Sequence, residues 1–305
     1  NVAFVNGTSD TSMNPIIVLT DTGYYSVKLA VTNGNGTDSI FADSAIVVSS
    51  GLSFPWFDDF ENETPCASGG CATNCEVVHW SNVTNDSGDE IDWRPDNEGT
   101  PWSDVNYNGS NTGPSVDYDP GTYAGHYLYI SSYPPNTACY NKLALLESPC
   151  LNLDDATAPE IKFAFHMFGY SPWINNLEVD VLSNGTWTNL WTQTGTSLGD
   201  QWNVDSVGLS AYEGEYIQLR FGGTSGSNWL GDIAIDGIEL TAAPLADFSV
   251  SDTFPCLNEM INLVDESSQT PTSWSWTITP NTFNYVNGSN TVSYTHLRAH
   301  ETRIH

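Results

Sequence analysis

Basic residues are scarce in this chain. Seven Lys and Arg residues stand against 37 Asp and Glu residues in 305 positions, which gives a formal net charge of -30. Binding of nucleic-acid phosphates requires clustered Lys and Arg. We therefore expect no nucleic-acid partner, and the excess of acidic side chains instead favours solubility and cation binding.

Long apolar runs and long helical periodicities are also missing. No apolar stretch approaches the ~18 residues that a membrane span requires, and no signal peptide opens the chain. We expect no membrane span in these residues and interpret them as an interior segment of a longer protein. Gly, Asn, Ser and Thr dominate the remainder, which indicates an all-β chain.

Cysteine is limited to six positions, none of them with the Cys and His spacing of a zinc site. We interpret them as an extracellular disulfide set, which indicates a secreted or cell-surface location. Cys139 and Cys150 flank a strand-like stretch and are the favoured pair. Cys66, Cys71 and Cys75 share a Gly-rich loop in which any two can pair, and one of the three is expected to stay free.

The clearest β pattern lies between Ile161 and Leu240. Apolar residues recur at every second position in three runs: Ile161, Phe163, Phe165 and Met167; Leu177, Val179 and Val181; Ile217, Leu219 and Phe221. Each run places its apolar residues on one face, which predicts half-buried strands of a β-sandwich. A fourth run changes parity between Ile235 and Ile238, so we predict a bulge near Gly237.

The two ends of the chain each contain too few strands to close a sandwich. Residues 1–50 predict strand, strand, hairpin turn, strand, and residues 244–291 contain further strand-like runs. The sequence Tyr285-Val-Asn-Gly-Ser289 repeats Phe4-Val-Asn-Gly-Thr8. Residues 246–288 followed by 7–49 would therefore make one repeat of immunoglobulin-like length.

This composite repeat resembles the PKD domain, on a strand at Trp274-Ser-Trp276 and on the Gly23-Tyr-Tyr-Ser-Val-Lys-Leu-Ala-Val-Thr-Asn33 stretch. The resemblance implies partial immunoglobulin-like β-sandwich domains, with 1–50 the C-terminal part of one domain and 244–291 the N-terminal part of another. It also implies a surface spacer or binding module. Residues 292–305 carry three of the six His without strand alternation, and we interpret them as a non-native tail of translated adapter sequence rather than as a metal-binding His tail.

The middle of the chain, 51–243, contains a series of motifs, which in chain order are Phe57-Asp-Asp-Phe-Glu61, Asp92-Trp93, Thr112-Gly-Pro114 with Asp117, Gly125-His-Tyr-Leu-Tyr129, Leu146-Glu-Ser-Pro149, Phe163 to Gly169, Leu190-Trp191, Trp202, Arg220-Phe-Gly-Gly223 and Asp232 to Asp236. In this order the motifs resemble those of a MAM domain. The resemblance implies a jelly-roll (concanavalin A-like) β-sandwich of adhesion receptors and secreted peptidases. An acidic residue replaces the Cys that usually precedes Phe-Glu, and Gly237 replaces an expected Asp.

No catalytic set emerges from the residues. Glu178 and Asp180 resemble the acid pair of a retaining glycosidase strand, but position 183 is Ser where a further acid is required. We predict a non-catalytic adhesion or binding module of a secreted or cell-surface protein. The alternative is an accessory region of a secreted hydrolase, a metallopeptidase by preference, whose catalytic domain lies outside these residues.

Loop aromatics are the candidate ligand-binding residues, because such side chains stack on sugar rings or anchor a protein partner. They lie in Gly-, Pro- and Asn-rich stretches: Trp93, Trp102, Tyr107, Tyr133, Trp173 and Trp229. The expected partner is an extracellular protein or glycan. Three further tryptophans, Trp187, Trp191 and Trp202, lie in strand-like segments and are predicted to be core.

A structural Ca²⁺ site is the expected cofactor site. Ca²⁺ takes 6–8 hard oxygen ligands in loose geometry, and the chain is rich in carboxylates. The MAM resemblance implies that the first and last strands lie side by side, which would bring Glu61 and Asp236 together. The expected further ligands are Asp117, Asp59 and Asp92.

Overall fold

The computed structural model describes residues 2–66, 74–84, 88–97, 100, 112–132, 139–170, 173–228, 230–267, 269, 271–279, 283–289 and 292–299. The chain divides into two compact units, Asn1–Leu52 and Ser53–His305. Both are built from β-strands, with a 3-10 turn at Ser210–Tyr212, so the all-β prediction is confirmed. No helix in the described ranges is long and apolar enough to cross a membrane.

The first unit consists of two antiparallel strand pairs. Its strands are β1 (Val2–Phe4), β2 (Ile17–Leu19), β3 (Gly23–Asn33) and β4 (Gly36–Val48). The β3–β4 hairpin turns over two residues, with the Asn33 side chain accepting the Asn35 backbone N–H at 2.8 Å. The three predicted strands are present as β2, β3 and β4, although β4 begins well before the apolar run that indicated it, and β1 was not predicted.

The second unit contains two six-stranded antiparallel sheets packed face to face. Their strands are β5 (Trp56–Asp58), β6 (Ser81–Asn82), β7 (Arg94–Asn97), β8 (His126–Ser131), β9 (Leu143–Glu147), β10 (Leu151–Asn152), β11 (Thr157–Gly169), β12 (Leu177–Ser183), β13 (Thr186–Gln193), β14 (Asn203–Gly208), β15 (Tyr216–Thr224) and β16 (Gly231–Ala243). One sheet has the order β13-β12-β15-β9-β6 with β10 on β15, and the other has β14-β11-β16-β8-β7 with β5 on β16. This is the predicted jelly-roll sandwich.

The core lies between the two sheets, where the residues of one parity meet. Phe163 of β11 packs edge-on against Phe221 of β15, with ring centroids 5.3 Å apart. Gly223 leaves room for Trp93, since a Cβ at this position would lie 2.6 Å from the indole. All ten residues of the three alternating runs are buried, which confirms the predicted faces.

The parity change in β16 is a bulge, as predicted. Ala164 pairs with Asp236 and Lys162 pairs with Glu239, so two residues of β16 lie opposite the single residue Phe163. Gly237 has φ of 53°, a left-handed conformation that favours glycine. The bulge keeps both halves of the strand buried while it reverses which parity faces the core.

The favoured disulfide was wrong. Cys150 is a free thiol, and Cys139 is disulfide-bonded but not to Cys150. Cys66 is bonded to Cys75, as the loop allowed, while Cys71 lies outside the described residues. Proximity along the sequence misled the pairing, because the strand-like stretch between Cys139 and Cys150 became β9, whose extension separates its two ends.

Five short strands follow the jelly roll: β17 (Phe248–Val250), β18 (Met260–Ile261), β19 (Leu263–Asp265), β20 (Phe283–Ser289) and β21 (Val292–Ala299). β17 pairs with β19, and β21 lies between β18 and β20. The strand predicted at Trp274–Trp276 is wrong, because these residues have no neighbouring strand to pair with among those described. The interpretation of 292–305 as a non-native tail stays a prediction.

Candidate metal and ligand-binding sites

The first and last strands of the jelly roll are neighbours. β5 pairs antiparallel with β16, with Asp58 opposite Ile238 and Trp56 opposite Leu240. This pairing places the segment that follows β5 beside the bulge that contains Asp236. The neighbourhood implied by the MAM resemblance is therefore present, and it brings together part of the predicted ligand set.

Asp236 lies at the centre of this neighbourhood and is fully buried. Its Oδ2 atom accepts the backbone N–H of Tyr118 at 2.8 Å and that of Asp119 at 3.4 Å, and its Oδ1 atom accepts the N–H of Gly237 at 2.6 Å. The pKa of Asp236 is raised to about 8, chiefly by burial and further by the Asp117 charge, although the three N–H donors act to lower it.

Asp117 provides an unsatisfied oxygen beside Asp236. Its Oδ1 atom accepts the backbone N–H of Thr122, while its Oδ2 atom is buried without a hydrogen-bond partner. A Cβ on Gly125 would lie 2.2 Å from that Oδ2 atom, so only glycine fits there. His126, the next residue, donates its backbone N–H to Glu61 at 2.6 Å, which places Glu61 in the same neighbourhood.

Two predicted ligands have other hydrogen-bonding roles. Asp59 accepts the backbone N–H of Glu61 at 3.2 Å in the turn after β5. Asp92 is buried and accepts the N–H of Cys75 at 2.7 Å, so it supports the disulfide loop. No group of three or more His, Cys, Asp or Glu side chains positioned to hold a metal ion occurs in the part of the chain that the structure describes.

The candidate ligand-binding aromatic residues differ in how deeply the structure buries them. Trp93 was a candidate ligand-binding residue, and this is wrong, because it is fully buried and donates its Nε1–H to the Ala144 carbonyl at 3.2 Å. Trp173 is half-buried. The remaining four, Trp102, Tyr107, Tyr133 and Trp229, lie outside the described residues. The three predicted core tryptophans, Trp187, Trp191 and Trp202, are half-buried rather than fully buried.

Trp173 stacks on Tyr170 to form an aromatic pair at the end of β11. The ring centroids are 5.1 Å apart and the planes differ by 29°. Trp173 donates its backbone N–H to the Tyr170 carbonyl at 2.8 Å, and Tyr170 donates its own to Leu230 at 2.7 Å. Tyr170 is 63% exposed, so the pair forms a partly open aromatic surface whose two residues are held by backbone hydrogen bonds.

Asp180, considered above as half of an acid pair, is engaged by other side chains. It accepts hydrogen bonds from Arg220 Nη2 at 2.8 Å and from Asn189 Nδ2 at 2.9 Å. The Arg220 guanidinium also lies 4.0 Å from the Trp187 ring. The arrangement links neighbouring strands β12, β13 and β15 on the outer face of their sheet, which is a structural role.

A buried polar cluster in the other sheet was not predicted from the sequence. Arg94 is 2% exposed and its guanidinium carbon lies 4.6 Å from the centre of the Tyr129 ring. Asp232 is also buried and accepts the hydroxyl of Thr100 at 2.8 Å. Burial raises the pKa of Asp232, while the Arg94 charge and hydroxyl donors lower it. The only sequence signal was the position of Arg94 next to Asp92-Trp93.

The family model described as "MAM domain, meprin/A5/mu" matches residues 75–244. The match covers more than half of the chain, and the chain belongs to the MAM domain family. Rat and mouse "MAM domain-containing glycosylphosphatidylinositol anchor protein 1" are each 34% identical over 158 residues, and the human protein of that name is 33% identical. These matches cover 52% of this chain and 16% of each relative, so the chain spans about a sixth of their length.

Solved structures give weaker likenesses. The K1 cleaved adhesin domain of Lys-gingipain from Porphyromonas gingivalis W83 is 17% identical, with a TM-score of 0.40 over 62% of this chain and 98% of that chain. The Caldicellulosiruptor saccharolyticus CBM27-1 in complex with mannohexaose is 14% identical, with a TM-score of 0.33 over 61% of this chain and 95% of that chain. At these TM-scores the likenesses carry no conclusion about fold or ligand.

Proposed function

We propose that the chain is a non-catalytic extracellular binding module of a secreted or cell-surface protein, with a glycan or protein as its ligand. Membership of the MAM family supports the proposal, and the relatives of highest identity named above are glycosylphosphatidylinositol anchor proteins by name. The Cys66–Cys75 disulfide agrees with an oxidising compartment. The net charge of -30 argues against nucleic acid as the ligand.

The observation that carries the proposal is the Tyr170–Trp173 pair. Aromatic rings that are already stacked lose little conformational entropy on binding, so they suit contact with a sugar face or an apolar protein side chain. Both residues are held by backbone hydrogen bonds, with Tyr170 N–H donating to Leu230 at 2.7 Å and Trp173 O accepting from Ser227 at 3.0 Å. A preorganised, partly exposed aromatic surface is a binding feature.

The test is a binding screen of the whole chain on a glycan array and against soluble polysaccharides, followed by calorimetric titration of each hit. Tyr170→Ala and Trp173→Ala should each lower affinity at least tenfold, which corresponds to about 1.4 kcal/mol. The matched control is Tyr123→Ala, a change of a 60% exposed tyrosine in the same domain, which should leave affinity unchanged. Equal affinities for all four chains would disprove the role of the pair.

We further propose a structural Ca²⁺ ion held by Asp117 and Asp236, with Glu61 and the turn carrying Asp59 completing its surroundings. The buried, unpartnered Asp117 Oδ2 atom supports this proposal, because a cation is the ligand that such an oxygen lacks. The raised pKa of Asp236 supports it as well, since a cation would replace the proton that its burial favours. Such an ion would fix the loop after Asp117 to the last strand.

A further inference from the structure

Four loops meet at one end of the jelly roll. They connect β8 to β9, β11 to β12, β13 to β14 and β15 to β16, and their described residues, here called the loop end, are 132, 139–142, 170, 173–176, 194–202, 225–228 and 230. Three hydrogen bonds join the loops in turn: Asn141 N–H to Gly226 O at 3.2 Å, Ser227 N–H to Trp173 O at 3.0 Å and Gly195 N–H to Asn176 Oδ1 at 3.0 Å. A Cβ on Gly226 would lie 2.5 Å from Trp173 O, so glycine permits this close packing.

The loop end carries almost no charge, although the chain has 37 acidic side chains. Its charged residues are Lys142 and Asp200. Both are paired, Lys142 with the Glu90 carboxylate and Asp200 with the His166 ring at 3.2 Å. Within the described residues, a ligand at this end therefore meets neither an unpaired cation that would attract an anionic group nor an unpaired carboxylate that would attract a cation. Electrostatic complementarity favours a neutral ligand.

Two asparagines of the loop end offer complementary hydrogen-bonding groups. Asn175 donates through its Nδ2 atom to Asn141 Oδ1 at 3.0 Å and to Ser225 O at 2.7 Å, which fixes the orientation of its amide. No described residue donates to Asn175 Oδ1 or accepts from Asn141 Nδ2. An acceptor and a donor therefore lie on two amides that are bonded to each other. Sugar hydroxyls on adjacent carbons match such a pair, because each hydroxyl can both donate and accept.

The exposed apolar surface of the loop end is small. Among its described residues, Tyr170 is the one large apolar side chain that is exposed, and it is stacked on Trp173. A stable protein interface buries about 800 Å² on each partner around an apolar core. One exposed aromatic ring among neutral polar groups fits a sugar better, since a sugar ring has an apolar C–H face and a polar edge.

We propose that the loop end binds a neutral oligosaccharide, with a sugar ring stacked on Tyr170 and neighbouring hydroxyls hydrogen-bonded to Asn141 and Asn175. This inference rests on the binding function proposed above and narrows its ligand to glycans without sulfate, phosphate, carboxylate or amine groups. Trp173 packs against Tyr170 and holds its ring in place. The surface is preorganised, because the hydrogen bonds between the loops hold both asparagines and the aromatic pair.

The first test is calorimetric titration of the whole chain with laminarin, xylan, galactan and mannan, each also in a chemically sulfated form. At least one neutral polysaccharide should bind, and its sulfated form should bind at least tenfold more weakly. In 0.5 M NaCl the Debye length is about 4 Å, so the distant acidic residues do not decide the result. A sulfated form that binds more tightly and depends on Tyr170 would overturn this inference but not the proposed function. Binding of none of these polysaccharides would also overturn it, in favour of a protein ligand.

The second test changes Asn141. Asn141→Asp keeps the oxygen that accepts from Asn175 but replaces the Nδ2 donor by a charged oxygen, and Asn141→Gly removes the amide while it suits the left-handed backbone, with φ of 56°. Each variant should lower the affinity for the neutral polysaccharide at least tenfold, with an unchanged melting temperature.

The matched control for this test is Asn184→Asp. Asn184 is exposed, has φ of 50° and lies in the turn at the other end of β12, so its replacement should leave the affinity unchanged. Full affinity in both Asn141 variants, with affinity still lost in Tyr170→Ala, would show that the asparagine pair does not contact the ligand. That result would overturn the inference and leave the aromatic pair as the binding feature.

Discussion

The backbone N–H of Tyr118 donates a 2.8 Å hydrogen bond to Asp236, which joins the loop after Asp117 to the last strand of the jelly roll. The acceptor is a buried carboxylate, and a second carboxylate, Asp117, lies close enough to raise its pKa. Two buried acids beside each other are costly to charge together. A cation bound between Asp117 and Asp236 would compensate both carboxylate charges.

Calcium should therefore raise the melting temperature of the chain relative to chelator. A site occupied at ~100 times its dissociation constant adds about 2.7 kcal/mol, which corresponds to roughly 5–10 °C for a unit of this size. Asp117→Asn keeps an oxygen for the Thr122 N–H but replaces the unpartnered Oδ2 atom by an amide, so the calcium response should vanish. Differential scanning calorimetry measures both chains.

The control for this prediction is Asp38→Asn, which removes an exposed carboxylate of β4 in the first unit. It should retain the full calcium response of the unchanged chain. If the unchanged chain melts at one temperature with and without calcium, the Ca²⁺ proposal fails. If Asp38→Asn loses the response together with Asp117→Asn, general screening of the net charge is the cause instead.

The alternating runs predicted the strands and their faces because one buried face requires apolar residues with period two. Even the bulge at Gly237 was visible, as a change of parity. Trp93 was wrongly taken as a ligand-binding candidate, because Gly-, Pro- and Asn-rich surroundings indicate the backbone conformation and not how deeply the side chain is buried. Gly223, 130 positions away, provides its space, and only the packing of the two sheets brings them together.

The stability of the second unit should fall as pH rises from about 4.5 to 7, because of Glu63. This side chain is 7% exposed and its Oε1 atom accepts the Val78 N–H at 2.7 Å. Burial raises the pKa of Glu63 from 4.5 to about 7. The folded state therefore holds a proton that the unfolded state has released, so stability is full below pH 4.5 and is lost as pH approaches 7.

Urea unfolding at pH 5 and pH 8 measures this effect. The unchanged chain should lose on the order of 1–3 kcal/mol more than Glu63→Gln between the two values, since one pKa unit corresponds to about 1.4 kcal/mol. Glutamine keeps the acceptor for Val78 but does not titrate. Identical losses in the two chains would show that Glu63 has an ordinary pKa in the folded state.

Thiol chemistry should distinguish Cys150 from Cys256 in the native chain. Cys256 is exposed and should react rapidly with a maleimide, whereas Cys150 is half-buried and its pKa is raised by burial, so it should react slowly. Both should react at once in urea. Peptide mapping without reduction should recover Cys66 joined to Cys75, and a peptide joining Cys139 to Cys150 would contradict the structure.

The cysteine pairing and the Tyr170–Trp173 pair could not be predicted from the sequence alone. Trp173 was selected because it lies in a Gly-, Pro- and Asn-rich stretch, but its partner Tyr170, three residues earlier, was not. Their stacking depends on the hydrogen bonds to Leu230 and Ser227, which lie on a distant loop. Contacts between distant segments decide these details, and a single sequence contains no record of them.

Arg94 should be among the most sensitive positions in the jelly roll. Its guanidinium is buried over Tyr129, and its charge offsets that of the buried Asp232. Arg94→Met removes the charge and should lower the free energy of unfolding in urea by about 3–5 kcal/mol, because it leaves a buried carboxylate without compensation.

The comparison variant is Arg220→Met, which breaks the ion pair with Asp180. The Arg220 and Asp180 side chains are 18% and 12% exposed, so water can replace part of that interaction. Its cost should be smaller, about 1–2 kcal/mol. Adding Asp232→Asn to Arg94→Met should recover part of the lost stability, because the uncompensated charge is then gone. Arg94 would act by packing alone if the two arginine variants lost equal stability, or if the double variant recovered none.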